Sequence, residues 1–411
     1  MPRRAGRPRW WVAGLSLFLV VVVGLVVWLV RRDSTYHAPL DRPTAPQAST
    51  AEATDLLHGL QGAVRRQDAA AGAGLGAGPQ GTRLLGAVVR NARALHVTGF
   101  TLRYVDQDGG VAPDGSWAAD VATSWRFAGF DPRPEHPQVR VRFAPADGHL
   151  RIAGIGGGGL RSPLWLTGPV QVRRSSDTLV VADGTPAEAD RLAALATRAV
   201  PQVGSVLPTW HGPVVVERPA SQQALEQDLA VDAGQYDGIA AVTTTVDGSR
   251  SRAAPSHVFV NPDVFDPLGV HGAQVVVTHE STHVATDAAT SPAPTWLVEG
   301  FADYVALRAQ RLPLTTTASR IAALVRRSGA PAHLPGSEEF AAGSPHLEAR
   351  YESAWLACRL LAEDGGQQAL VAFYRDVDAG LPVAPALRRH FGFGLGGLTR
   401  HWRGVLSHLP A

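Results

Sequence analysis

Alternating apolar and polar residues in the first half of the chain predict an antiparallel sheet. Clusters of Gly, Pro and Asp separate the alternating segments. These segments are 100–105, 117–127, 138–143, 149–155 and 166–172. Helical spacing over 55–66 precedes them, so the pattern predicts a small α+β domain over 54–183, which we interpret as a spacer or interaction module.

A second α+β domain is predicted over 184–411. Its first helix begins with Thr185 as N-cap, Pro186 at the first helical position and Glu188 completing a capping box. Apolar β-like runs at 213–217, 239–246 and 256–261 follow, and helical patterns dominate the rest of the chain. Strands followed by helices are typical of α+β folds.

An uncharged apolar run over 10–30 has the length of a transmembrane helix, about 30 Å at 1.5 Å per residue. Four arginines precede it and two follow it, so residues 1–9 are expected to be cytoplasmic. Residues 31–53, rich in Pro, Ala, Ser and Thr, are a predicted linker. The expected location is thus the cell membrane, as a single-pass protein with the lipid bilayer as partner and its later domains outside the cytoplasm.

Composition excludes several classes of protein. The chain has 411 residues, of which 45% are apolar and 18% charged, so it is not mainly disordered. A net charge of +2 without a basic cluster argues against a nucleic-acid partner. The single cysteine, Cys358, excludes an intramolecular disulfide, and its apolar neighbours indicate a packing role.

The strongest chemical signal is His279-Glu280-Ser281-Thr282-His283, an H-E-x-x-H pattern. On a helix, two His four positions apart share a face and can bind one metal ion, with Glu280 beside them to act on a metal-bound water. The β-branched residues 275–278 instead favour a strand, which would separate the imidazoles by roughly 13 Å. A metal site therefore requires a helix in which packing overrides propensity.

A downstream segment, 294–304, supplies further candidates. Glu299 and Asp303 lie four positions apart and share a face if this segment is helical. Glu299 would complete a His, His, Glu ligand set for zinc with an open fourth position. Asp303 would accept a hydrogen bond from a ligand imidazole and fix its tautomer.

Residues 279–304 resemble the gluzincin metallopeptidases, specifically the peptidase MA-like family. The resemblance rests on the H-E-x-x-H pattern and on the following Trp296-Leu297-Val298-Glu299-Gly300. Members of this family are often membrane-anchored in bacteria. The resemblance extends over 186–411. It implies a zincin-like domain with a short sheet and an active-site helix pair, Zn²⁺ bound by His279, His283 and Glu299, and Glu280 as general base. It also implies that strand 257–261 is the sheet edge that pairs with an extended peptide.

An oxyanion-stabilising donor is also expected. In similar enzymes a Tyr or His on a helix after the Glu ligand has this role, and Tyr351 is the candidate. His346 and Tyr304 are alternatives. The chain lacks the G-x-M-E-N motif of the aminopeptidases, so the resemblance does not support aminopeptidase specificity.

The predicted function is a membrane-anchored, zinc-dependent metallopeptidase, a hydrolase that cleaves extracytoplasmic proteins or peptides. One alternative is a catalytically inactive, membrane-tethered binding or scaffold protein that retains the zincin fold. Another is a structural protein in which the H-E-x-x-H pattern is accidental.

Overall fold

A computed structural model describes residues 48–310 and 312–410. Ala48–Ala411 belongs to one compact α+β unit with two sheets. The strands are β1 (Val97–Asp108), β2 (Trp117–Phe127), β3 (Gln138–Ala146), β4 (His149–Ile155), β5 (Gln171–Arg174), β6 (Thr178–Ala182), β7 (Val214–Arg218), β8 (Ala241–Thr245) and β9 (Ser256–Val260).

Helices make up most of the remaining described residues. They are α1 (Thr50–Arg66), α2 (Ala69–Ala73), α3 (Gly78–Ala94), α4 (Leu164–Thr167), α5 (Pro186–Gly204), α6 (Gln222–Leu229), α7 (Pro262–Phe265), α8 (Val270–Ala285), α9 (Thr295–Arg308), α10 (Leu314–Thr317), α11 (Ser319–Ser328), α12 (Leu347–Gly365), α13 (Gln367–Asp378), α14 (Val383–Phe391) and α15 (Leu395–Ser407). Short 3₁₀ helices lie at Ala288–Thr290 and Ser337–Phe340.

The first sheet is an antiparallel meander in the order β1-β2-β3-β4. Four of the five predicted strands are confirmed here. The fifth, predicted over 166–172, is wrong, because 164–167 form the helical turn α4 and strand β5 joins the second sheet. The Asn91 side chain donates to the carbonyls of Trp165 (2.9 Å) and Gly168 (2.7 Å), which anchors the turn.

The second sheet has the order β5-β6-β7-β9-β8. Strands β6, β7 and β9 are parallel, and β5 and β8 pair antiparallel at the two sides. The expectation that 257–261 is the sheet edge is wrong. After β8 the chain turns back and inserts β9 between β8 and β7, so that β8 is the edge strand.

The second sheet has apolar residues on both faces, as expected for a buried parallel sheet. In β6, Leu179 and Val181 face the core that the first sheet and helices α1 and α3 also line. Val180 and Ala182 face the opposite core, against α5 and α8. The predicted capping box at the start of α5 is confirmed.

Helices α8 and α9 are the pair that carries the H-E-x-x-H pattern and the downstream acidic residues. Residues 275–278 are helical within α8 despite their β-branched side chains, and Val277 and Thr278 are fully buried. Helix α9 packs against α12 with almost no gap. A Cβ added at Gly300 would lie 2.3 Å from the Ala354 carbonyl oxygen.

The membrane prediction is corrected by the structure. Within 48–310 and 312–410, no helix is both long and apolar enough to cross a bilayer. The longest ones, α5 and α12, span 19 residues and carry several charged side chains. No helix among the described residues therefore supports the expected membrane-spanning fold or the cell-membrane location, and the predicted span, 10–30, lies outside them.

Candidate metal centre

Helix α8 presents His279 and His283 on one face, and α9 brings Glu299 to both. The imidazole centroids are 4.5 Å apart. Glu299 Oε2 lies 3.1 Å from His279 Nε2 and 3.3 Å from His283 Nε2. All three side chains are between 10% and 17% exposed. Two nitrogens and one oxygen therefore converge from two neighbouring helices.

Asp303, one turn after Glu299, orients the first imidazole. His279 Nδ1 donates to Asp303 Oδ1 at 2.7 Å. This hydrogen bond places the Nδ1 proton on the Asp303 side and directs Nε2 towards Glu299. Carboxylates commonly hold metal-ligating imidazoles in this way.

The described residues contain two buried groups of His, Asp and Glu that could hold a metal ion. One is His279, His283 and Glu299, whose ligand atoms lie within 4.8 Å of one another. Two imidazoles with one carboxylate are the three-ligand set found in catalytic zinc sites. The donor types and the Asp303 contact both fit such an ion.

The carboxylates shape the protonation of this group. Burial disfavours a charged imidazolium, but Asp303, Glu299 and Glu280 together outweigh burial and raise the pKa of His279 well above its usual value. Burial alone would raise the pKa of Glu299, but the His283 and His279 imidazoles outweigh burial and lower this pKa. Metal binding at His279 Nε2 would therefore release a proton.

Glu280 is held beside the converging ligands by the edge strand. The Thr243 hydroxyl on β8 lies 2.7 Å from Glu280 Oε2 and 3.1 Å from the Glu280 carbonyl oxygen. Glu280 is 6% exposed and lines the cavity next to His279. Because the Thr243 hydroxyl is hydrogen-bonded to Oε2, Oε1 of Glu280 remains available to a water molecule.

Two cavities meet at this group. One of about 420 Å³ is lined by His279, Glu280, His283, Glu299 and Tyr351 together with edge-strand residues. Another of about 520 Å³ shares His279, Glu280 and Tyr351 and is lined mainly by apolar atoms. The site is thus accessible from the surface.

The three candidate oxyanion donors have different positions. The Tyr351 ring lies 6.3 Å from the His279 ring and lines both cavities. His346 lines only the more apolar cavity. Tyr304 is buried, and its hydroxyl accepts a hydrogen bond from Arg308 at 3.2 Å. Tyr351 is the one of the three next to the converging ligands.

Sequence reasoning missed two features. Thr243 carries no motif, although its strand lies in a predicted β-like run. The second buried group, Asp131, Glu135 and His257, was also missed. A histidine within the apolar strand 256–260 was the available signal, because a buried imidazole needs polar partners.

No family model matches the chain, and no curated protein matches it. The resemblance to gluzincins therefore stays a prediction based on residues 279–304.

Proposed function

We propose that this protein is a zinc-dependent metallopeptidase that hydrolyses peptide bonds of proteins or peptides. The convergence of His279, His283 and Glu299 at a cavity, with Glu280 alongside, carries the proposal. These three side chains would hold the zinc ion. When bound, zinc supplies a Lewis acid that activates water and polarises a carbonyl group.

Glu280 is the proposed general base. Its Oε1 would take a proton from the attacking water and deliver it to the leaving amine. Thr243 holds the other oxygen at 2.7 Å, so the carboxylate is fixed before substrate binds. Such pre-organisation removes part of the cost of orienting the base during reaction.

Tyr351 is the proposed donor to the substrate oxygen. Burial, with the nearby Glu299 carboxylate, raises the pKa of Tyr351 well above its usual value. The hydroxyl therefore stays protonated and can donate a hydrogen bond as negative charge develops on the carbonyl oxygen.

Strand β8 is the proposed docking edge for an extended substrate. It pairs with β9 on one side, and Ala241, Val242 and Thr243 line the cavity that contains His279. A peptide that adds to this edge would gain main-chain hydrogen bonds. Its scissile bond would then pass close to Glu280.

The test combines metal analysis with cleavage of casein and of a quenched peptide library by the full-length protein. Glu280→Gln is expected to keep its zinc and lose at least about 100-fold in turnover, since general bases contribute 10²–10⁴-fold. Glu363→Gln, on the exposed part of α12, is the matched control and should cleave normally. Equal cleavage by Glu280→Gln and wild type would refute the mechanism. Bound zinc without cleavage by wild type would indicate a non-catalytic binding protein.

A further inference from the structure

A second group of potential ligands lies where the two sheets meet. His257 is on β9 in the second sheet, whereas Asp131 and Glu135 are in the connection between β2 and β3 of the first. His257 Nε2 is 3.0 Å from Asp131 Oδ1 and 3.6 Å from Glu135 Oε1. All three side chains are at most 2% exposed.

The His257 imidazole has carboxylates at both nitrogens. Nδ1 lies 2.7 Å from Glu217 Oε1 on the neighbouring strand β7. If Nδ1 keeps its proton for Glu217, a metal ion can replace the proton on Nε2 and take up the lone pair that is directed at Asp131 and Glu135. The same arrangement occurs at His279, which donates to Asp303 through Nδ1 and approaches Glu299 through Nε2.

Glu135 points to a missing ligand at this group. Its side chain is fully buried, and neither carboxylate oxygen has a hydrogen-bond partner. An unpaired buried carboxylate is costly, so it must either hold a proton or pair with a cation such as a metal ion. Two further carboxylates, Glu217 and Asp228, are buried close by. Arg161 lies close enough to Glu135 and Asp228 to interact with both carboxylates, yet these four buried carboxylates outnumber His257 and Arg161.

We propose that Asp131, Glu135 and His257 bind a second divalent transition-metal ion, which joins the two sheets. Nε2 of His257, Oδ1 of Asp131 and a carboxylate oxygen of Glu135 offer three donor atoms. One imidazole nitrogen with two carboxylate oxygens is a donor set that suits Zn²⁺ or a similar divalent ion. Glu217 orients the imidazole, as Asp303 orients His279.

The backbone holds these ligands in place. Asp131 Oδ2 accepts the Phe127 backbone N–H at 2.6 Å, so only Oδ1 remains for a metal. Glu135 exchanges backbone hydrogen bonds with Trp125 on β2. A cavity of about 530 Å³ reaches Asp131 and His257 and gives an ion a path from the surface.

The experiment counts metal in the purified full-length protein by plasma mass spectrometry after dialysis against a metal-chelating resin. Wild type is expected to carry about two equivalents of zinc, and His283→Ala/Glu299→Gln about one. Adding Glu135→Gln to that double variant should remove the remaining equivalent, while adding Glu363→Gln should not. A folded double variant that holds no metal would overturn the proposal.

Zinc titration of the chelator-stripped double variant decides the question if Glu135→Gln does not fold. Its melting temperature should rise with added Zn²⁺, because an ion that binds only the folded state stabilises it. No shift would mean that a protonated His257 alone balances the carboxylates and would overturn the proposal. One equivalent in both wild type and the double variant would instead refute the catalytic zinc site and support the second one.

Discussion

Gly300 is the position where one added methyl group should disturb both the fold and the candidate metal centre. In Gly300→Ala, the new Cβ would lie 2.3 Å from the Ala354 carbonyl oxygen and 3.0 Å from Cys358 Sγ, whereas ordinary contacts begin near 3.4 Å. The clash is with backbone, so α9 must move away from α12 by about 1 Å.

The expected loss of stability follows from two opposing contributions. Overpacking a tight core site costs about 1–3 kcal/mol, and a helical Gly→Ala change returns about 0.5–1 kcal/mol. We expect a net loss of about 1–2 kcal/mol in the free energy of unfolding. Glu299, the next residue, should also shift by about 1 Å, whereas metal–ligand distances tolerate only about 0.2 Å. Zinc occupancy should therefore fall.

Urea unfolding and metal analysis measure the two effects, and Gly272→Ala on α8 is the matched control. The nearest atoms to a Cβ at Gly272 are on Leu268 at 3.7 Å, so no clash is created. This control should gain about 0.5–1 kcal/mol and keep its zinc. Gly300→Ala with wild-type stability and full zinc would refute the packing argument.

Two further substitutions test the electrostatics of the site, and a third tests Glu352, a partly buried carboxyl group on α12. Asp303→Asn should weaken zinc binding about 10-fold or more by releasing His279, measured by chelator competition; unchanged affinity would exclude this role. Thr243→Val should lower kcat/KM about 10-fold with normal zinc content, because Glu280 loses its hydrogen bond; full activity would count against a held base. Burial raises the pKa of Glu352 to about 7, so its contribution to stability falls as pH rises from about 4.5 to 7. The stability of Glu352→Gln relative to wild type, measured as the free energy of unfolding in urea, should therefore rise by about 2 kcal/mol from pH 4 to pH 8, after discounting for partial exposure. Equal pH profiles for the two proteins would contradict this.

Two parts of the candidate metal centre were predictable because each of them is local. His279 and His283 are four positions apart and therefore share one face of any helix that contains them. The same spacing relates Glu299 to Asp303 on the next helix. Intrinsic propensity alone would have assigned the β-branched residues 275–278 to a strand. They are helical because packing of buried side chains such as Val277 outweighs that propensity.

The features that sequence reasoning missed depend on non-local pairing. The insertion of β9 between β7 and β8 is decided by which strands meet in the sheet, and no residue within 257–261 encodes that choice. His257 and Asp131 are 126 positions apart. Without a fixed spacing between ligands, a pattern search has nothing to detect.

The apolar interior shared by the two sheets has a practical consequence for protein engineering. Trp117 and Phe143 of the first sheet lie in the same core as Leu179 and Phe259 of the second. If the chain were divided near residue 183, each of the two fragments would expose an apolar surface to water. The N-terminal half is therefore not expected to fold when it is transferred alone to another protein. Calorimetry of the intact chain should show both sheets unfolding in a single transition.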